Sequence, residues 1–265
     1  MSFTQIIGIV IGILGFLFLI TIHEGGHCLV SKGLGVRVNE FSVGMGPLIT
    51  QKEKNGTMYS LRLLPVGGYC ALEGEFGEDM TDEEIENFVD TDPKAFVNQP
   101  FWKQFLILCA GSFVNFVFGF ILFIIVYSVV AHGQVGFGRI LEVSWQDCFS
   151  MIKDIIAFLG GLFNGTSSMD DVSGVIGIVA VVADSASYGL INVFYLIALI
   201  SVNLSIMNML PIPGLDGGRI LVLIIKKLTG DRLSQKAENV INGIGMVFLL
   251  ALIIFIAVKD VIKLV

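Results

Sequence analysis

Two histidines and one glutamate occur within five residues, in the sequence HEGGH from His23 to His27. On a helix, positions i and i+4 lie on one face, so His23 and His27 can bind a single zinc ion. Zinc acidifies a bound water molecule, and Glu24 is placed to accept the proton as a general base. This spacing is typical of hydrolytic zinc sites.

Catalytic zinc usually has three protein ligands, so the two histidines leave one position to fill. Asp216 is the candidate third ligand, in the run NMLPIPGLDGG from 208 to 218. The alternative is that Asp216 only caps the helix predicted at 217–228. Asp216 follows the apolar segment at 190–210 and the histidines end the first apolar segment, so the two stretches are predicted at the same membrane depth. That match favours the ligand role.

Apolar segments must position these residues. The chain of 265 residues is 54% hydrophobic and only 15% charged, against about 25% charged in soluble domains. Residues 5–22, 105–130 and 239–258 are apolar over the length of a membrane span. A fourth segment, 190–210, contains several polar side chains, which predicts that it lines a site. The first segment lacks the features of a cleaved signal and is predicted to be retained.

Basic residues give the predicted orientation. Residues 31–103 contain seven Lys or Arg and residues 211–238 contain five, whereas residues 131–189 contain only Arg139 and Lys153. Because basic loops stay in the cytoplasm, both termini are predicted outside and the site on the cytoplasmic side.

The segments between the spans differ in character. Alternating apolar residues around Asn55-Gly56 predict a β-hairpin near the membrane surface. Residues 73–92 contain ten acidic residues and no basic ones, which predicts a solvated segment. Residues 145–163 have the spacing of an amphipathic helix, and the run SGVIGIVA at 173–180 suits a short re-entrant turn.

Other site types are disfavoured. The four cysteines form no CxxC pair, so neither a disulfide framework nor a cysteine zinc cluster is predicted. No basic footprint for nucleic acid is present. A metal transporter would also bury His and Asp, but no internal repeat is visible. An inactive scaffold would not need Glu24, which is present.

Several motifs together resemble the site-2 protease family of intramembrane zinc metalloproteases, most closely the bacterial regulator-of-sigma-E type. They occur in the family's order over nearly the whole chain: HEGGH, FSVGMGP at 41–47, LRLLPVGGYCALEGE at 61–75, AGSFVNF at 110–116, SGVIGI at 173–178 and NMLPIPGLDGG at 208–218. Family members usually carry a PDZ domain between the second and third spans. The 40 residues here are too few for one, so its absence is expected.

The resemblance implies roles for individual residues. His23, His27 and Asp216 would bind Zn²⁺, and Glu24 would be the catalytic base. Asn208 would bind the substrate backbone, while the segment around Gly44 and Gly46 would receive an extended substrate by strand addition. Asn115, in AGSFVNF, is interpreted as a structural residue that bonds between helices.

The resemblance also implies partners and a location. Substrates would be single-span membrane proteins, such as an anti-sigma factor, or signal-peptide remnants, cleaved in or beside the lipid bilayer of the bacterial inner membrane.

The predicted fold class is an all-α polytopic membrane protein with four transmembrane helices and a small membrane-associated β-hairpin or sheet. One domain covers 1–265. Its predicted parts are a first span at about 5–30, a β region at 36–75, an acidic segment at 73–92, a second span at 103–131, an external segment at 132–185, a third span at 188–210, the LDGG loop at 211–218 and a fourth span at 238–260.

Overall fold

The computed structural model of this chain describes residues 3–74, 92–168, 172, 174–230 and 235–264. The described helices are α1 Phe3–Gly33, α2 Phe101–Val130, α3 Phe137–Asn164, α4 Val175–Ser185, α5 Leu190–Asn208, α6 Asp216–Thr229 and α7 Gln235–Leu264. The strands are β1 Val38–Lys54 and β2 Thr57–Leu72, and two short 3₁₀ helices cover Phe96–Asn98 and Ala186–Tyr188. Most of the predicted acidic segment, 75–91, lies outside the described residues, as does Ser173 at the start of the predicted re-entrant turn.

Among the described residues, four helices are long and apolar enough to cross a membrane: Ile6–Gly33, Phe101–Val130, Leu190–Asn208 and Val240–Ile262. Large apolar side chains cover their outer surfaces; Ile244 and Val247, for example, are 67% and 66% exposed. Contiguous exposed apolar surface of this kind is unfavourable in water and suits a lipid environment. The predicted all-α membrane fold with four spans and a small β element is confirmed.

The β element is a bent antiparallel ribbon. Asn55 and Gly56, between the strands, have φ values of 54° and 74°, as a type I′ turn requires. From Lys54 paired with Thr57 to Thr50 paired with Leu61, the strands form a regular hairpin.

Beyond the hairpin the ribbon folds back on itself. The stretch of β1 from Glu40 to Val43 has partners on both sides, because Val43 lies opposite Gly68 as well as Leu61. The register shifts between Val43 and Leu48. Gly44 and Gly46 lie at this point with φ near +80°, a conformation that glycine adopts at little cost.

The chain separates into two compact units. One unit contains 17–114 and 207–249, and therefore the β ribbon, all of α6 and the residues predicted to form the metal site. Its core is a cluster of buried apolar side chains from α1, the β ribbon, α2 and α6: Cys28, Val36, Val38, Leu72, Phe96, Ile107, Leu108, Ile220 and Leu223.

The other unit contains 1–16, 115–206 and 250–265. Its core contains Leu122 and Phe123 of α2, Cys148 of α3, and Ala198 and Val202 of α5. Close contact of α2 with α5 needs a small residue, since a Cβ at Gly119 would lie 2.6 Å from Val202 Cγ2.

Polar bonds also hold this unit. Asn115, which is fully buried, accepts a hydrogen bond at its backbone oxygen from Ser201 Oγ at 2.8 Å. A second polar contact joins α7 to the start of α4, where Asp260 Oδ2 accepts the backbone N–H groups of Gly174 and Gly177, each at 2.9 Å. In both cases the polar group joins two elements of the same unit.

Two helices follow the second span. The amphipathic helix predicted at 145–163 is longer in the structure, because α3 covers Phe137–Asn164 and ends at Gly165 in a left-handed conformation. The predicted re-entrant turn at 173–180 overlaps α4, an 11-residue helix beginning at Val175. Among the described residues between α2 and α5, only helical structure is present, so no PDZ sheet occurs there.

Candidate metal centre

Three side chains from distant parts of the chain converge in one unit. His23 Nε2 lies 3.1 Å and His27 Nε2 3.3 Å from Asp216 Oδ2. The two imidazole nitrogens lie 3.3 Å from each other. The histidines are almost completely buried, at 6% and 8% exposure. In the part of the chain that the structure describes, they form the one group of His, Cys, Asp or Glu with metal-binding geometry.

The size of this triangle fits zinc. Zinc bonds to nitrogen and oxygen are about 2.0–2.1 Å long, so the ligand atoms of a tetrahedral site lie about 3.3–3.4 Å apart. The observed edges are 3.1, 3.3 and 3.3 Å. Asp216 Oδ2 is buried and accepts no hydrogen bond, an arrangement that is costly unless a cation lies beside the oxygen. The residues present therefore fit a divalent metal.

The second nitrogen of His27 has a backbone partner. His27 Nδ1 lies 2.8 Å from the carbonyl oxygen of Ile107 on α2. A carbonyl can only accept, so Nδ1 carries the proton and a neutral ring keeps Nε2 free for a metal. Contacts of this type fix the tautomer and the orientation of metal-binding histidines.

Asp216 reaches the histidines from the first turn of α6. Leu215 is the N-cap residue, and no side-chain cap bond is present. Asp216 is thus the first residue of the helix, and the capping alternative does not describe its side chain. Burial works towards a higher pKa for Asp216, but the His23 and His27 imidazoles hold this pKa below its usual value. The carboxylate is therefore ionised, as a metal ligand must be.

The loop before Asp216 packs against glycines that have no room for a side chain. A Cβ at Gly217 would lie 2.3 Å from the backbone oxygens of Met209 and Leu210, and one at Gly218 would lie 2.1 Å from Ile212 O. On α7, a Cβ at Gly245 would lie 2.3 Å from the backbone of Pro213. Real Cβ atoms do not approach this closely, so the loop is packed backbone to backbone.

Glu24 is half-buried and precedes the Gly25-Gly26 pair between the two histidines. Gly68 of β2 lies near Glu24, since a Cβ built on Gly68 would lie 3.8 Å from Glu24 Cγ and 3.7 Å from Ile20 Cγ2. The β2 backbone at Gly68 therefore passes directly beside the predicted base.

Asn208, the last residue of α5, lies at the same centre. Its Nδ2 atom is 3.5 Å from His23 Nε2. Gly44 and Gly46, by contrast, contact β2: a Cβ at Gly44 would lie 2.6 Å from Leu64 O, and one at Gly46 would lie 3.1 Å from the Leu64 side chain. Their role towards a substrate stays a prediction.

Sequence reasoning missed three elements of this centre: the Ile107 carbonyl, Gly68, and the α2 backbone at Gly111, where a Cβ would lie within 3 Å of both imidazoles. Every residue has a backbone carbonyl, so nothing in the sequence indicates that the carbonyl of Ile107 contacts His27. The two glycines stood within motifs, but nothing in the sequence indicated which atoms they contact.

Comparisons with known proteins agree with this geometry. The model of peptidase family M50 matches residues 11–252. A protein of Fusobacterium nucleatum described as a candidate zinc metalloprotease is 28% identical, with 93% of this chain and 96% of the relative covered. A protein of Clostridium acetobutylicum with the same description is also 28% identical, covering 96% and 97%. The regulator of sigma-W protease RasP of Bacillus subtilis is 22% identical, covering 92% and 95%.

The matched relatives are longer than this chain. The alignment with the Fusobacterium protein runs over 338 positions, although this chain has 265 residues. About 90 positions of the relative therefore have no counterpart here. This difference agrees with the predicted lack of a PDZ domain. With the family model matching most of its length, the chain belongs to peptidase family M50, the site-2 protease family.

Proposed function

We propose that this chain is an intramembrane zinc endopeptidase that hydrolyses peptide bonds in or beside the transmembrane segment of other membrane proteins. The observation that carries this proposal is the convergence of His23 Nε2, His27 Nε2 and Asp216 Oδ2 within 3.1–3.3 Å, with both histidines inside the membrane-spanning helix Ile6–Gly33. The names of the relatives, zinc metalloprotease and regulator of sigma-W protease, support it.

The residues have distinct roles in this proposal. His23, His27 and Asp216 hold the ion. When bound, zinc supplies a Lewis acid that activates water and polarises the scissile carbonyl. Glu24 accepts a proton from the attacking water and delivers it to the leaving amine. Asn208 lies close enough to His23 to donate a hydrogen bond to a substrate carbonyl at the same place.

We assign the β ribbon to substrate binding. A peptide must leave its helical form before its bonds can be reached, and a strand edge can pair the freed backbone groups. Residues 40–43 already have partners on both sides, whereas the stretch of β2 from Gly68 to Leu72 pairs on one side only among the described residues. That edge begins beside Glu24. Gly44 and Gly46 contribute the bend that brings the ribbon to this position.

The proposed substrate class is taken from membership of the site-2 protease family. A hydrolytic centre within a spanning helix would act on the transmembrane segments of single-span proteins, such as an anti-sigma factor, or on signal-peptide remnants. The positive residues of 31–103 and 211–238 support a cytoplasm-facing site in the bacterial inner membrane.

The test is Glu24→Gln in the purified full chain, assayed with a single-span model substrate in detergent or liposomes. Loss of a general base lowers the rate by about 100- to 10,000-fold, and zinc content should remain at one ion per chain. Glu142→Gln is the matched control, because Glu142 is an exposed glutamate of α3 paired with Arg139. Undiminished cleavage by Glu24→Gln, or zinc flux into liposomes without cleavage, would contradict the proposal.

A further inference from the structure

Helix α2 contributes no side-chain ligand to the metal centre, yet one of its turns forms a wall of the site. Ile107 and Gly111 are one helical turn apart and lie on the same face. The Ile107 carbonyl oxygen accepts a hydrogen bond from His27 Nδ1 at 2.8 Å. The Cα position of Gly111 faces the other nitrogen of the same ring, Nε2.

The space at Gly111 is completely taken. A Cβ built on Gly111 would lie 2.4 Å from His27 Nε2 and 2.8 Å from both Cε1 and Nε2 of His23. These are the nitrogen atoms that face Asp216. A methyl group at this position would therefore overlap the Nε2 atoms of both histidines. No flexible apolar side chain stands in its way that could rotate aside.

The approach of the two helices is set by a second glycine. A Cβ at Gly26, in HEGGH, would lie 2.7 Å from Ala110 O and 3.0 Å from Gly111 Cα. Backbone contact between α1 and α2 at Gly26 thus brings Gly111 against the imidazoles. Since His27 is already fixed through Nδ1, its ring cannot turn away from residue 111 without losing the Ile107 bond.

We propose that Gly111 is a positioning residue of the metal centre, and that its missing side chain is what allows the His23 and His27 nitrogens to converge with Asp216 on one zinc ion. This inference rests on the proposed function, because it assumes that these three residues bind the metal. The inference adds a requirement on α2, namely that residue 111 has no side chain, which the ligand residues alone do not indicate.

The test is Gly111→Ala in the full chain, purified in detergent. Changes next to metal ligands typically weaken metal binding about 10- to 100-fold, and we expect a loss of that size in zinc affinity by competition with a chelator. Replacement of zinc by cobalt should give an altered absorption spectrum, which reports ligand geometry independently of activity. Cleavage should fall in parallel.

Two variants serve as controls. Gly119→Ala lies on the same helix, and its Cβ would also meet close neighbours, at 2.6 Å from Val202 and 2.9 Å from Ala198 O. This variant should lose stability but bind zinc with normal affinity when folded. Gly33→Ala, at the end of α1, has no atom within 4 Å of the new Cβ and should resemble the wild type in both respects.

The outcomes separate the inference from the proposed function. Normal zinc affinity and an unchanged cobalt spectrum in folded Gly111→Ala would overturn the inference alone. A wild-type chain that binds no zinc would overturn the proposed function and the inference with it. If Gly111→Ala does not fold, His27→Ala is added to it: recovery of folded protein shows the clash with the imidazole, and no recovery overturns the inference.

Discussion

Two buried carboxylates, Asp216 and Asp260, have opposite surroundings. Asp260 is 4% exposed, and its Oδ2 accepts two backbone N–H groups at the start of α4. The Asp216 side chain is 14% exposed, and its Oδ2 accepts no hydrogen bond while facing two imidazole nitrogens. Each belongs to a different unit of the chain.

The difference distinguishes a structural acid, Asp260, from the proposed metal ligand, Asp216. The N-terminus of a helix provides N–H groups and a partial positive charge, so Asp260 is stabilised by the protein itself. The Asp216 side chain is also largely buried, but its Oδ2 accepts no hydrogen bond and faces two imidazole nitrogens, so a bound cation would stabilise it. The partners of a buried acid, more than its burial, therefore indicate what it does.

The largest effect is expected from Asp216→Ala. Removal of a metal ligand should weaken zinc binding by more than about 100-fold, since even residues behind the ligands contribute 10- to 100-fold. Cleavage should become undetectable, while the helical circular dichroism should not change because alanine fits the first turn of α6. Zinc analysis of the purified variant checks this. Full zinc stoichiometry would show that Asp216 is not a ligand.

Asp260→Ala should give the opposite result, with lower stability but unchanged zinc binding. Two buried N–H groups lose their acceptor, which should lower the free energy of unfolding by about 2–4 kcal/mol. Thermal unfolding in detergent measures this loss, and zinc per folded chain should equal that of the wild type. Loss of zinc from a folded Asp260→Ala protein would remove the distinction between the two acids.

A smaller effect is expected at the neighbouring cation. Lys259 Nζ donates a hydrogen bond to Val172 O at 2.5 Å. Lys259→Met keeps most of the side-chain length and should lower stability by about 1 kcal/mol. The same thermal unfolding measurement applies. A loss as large as that in Asp260→Ala would show that the lysine, and not the carboxylate, attaches α7 to this segment.

The partly buried acid Glu40 should have the smallest effect. Partial burial works towards a higher pKa for Glu40, but hydrogen bonds with Ser60, Tyr69 and Arg62 hold its pKa below 4.5. Its stabilising effect is therefore present above pH 4.5 and is lost as the pH falls through the lowered value. The free energy of unfolding, measured by thermal unfolding, should differ between wild type and Glu40→Gln by less than about 1 kcal/mol, because the pair with Arg62 is partly open to solvent. This difference should disappear in acid; one that persisted would mean that the charge of Glu40 has no part in it.

The sequence predicted those features that depend on composition and short spacing. Apolar length identified the four spans, Asn55-Gly56 identified the hairpin, and the i,i+4 spacing identified two histidines whose Nε2 atoms lie 3.3 Å apart in the structure. For Asp216, the sequence left a ligand and an N-cap as alternatives, because both occur at the start of a helix. Only the three-dimensional arrangement, with Leu215 in the cap position, separates them.

Other features depend on contacts between distant residues. The folding back of the β ribbon gives residues 40–43 two partners each, which no local pattern expresses. Gly111 and Gly119 occur in the same helix and look alike in sequence. One faces imidazoles and the other faces Val202, and that assignment requires knowledge of which helices pack together.

The backbone packing around Asp216 has a consequence for the choice of ion. The Asp216 carboxylate has little freedom to move outward, because the helical glycines Gly217, Gly218 and Gly245 pack without space against the backbone of the preceding loop. Calcium bonds are about 2.3–2.6 Å long and calcium takes six to eight oxygen ligands, so it would require a wider opening than a triangle with edges of 3.1–3.3 Å. The fixed spacing of these three atoms would therefore favour a small divalent ion such as zinc over calcium.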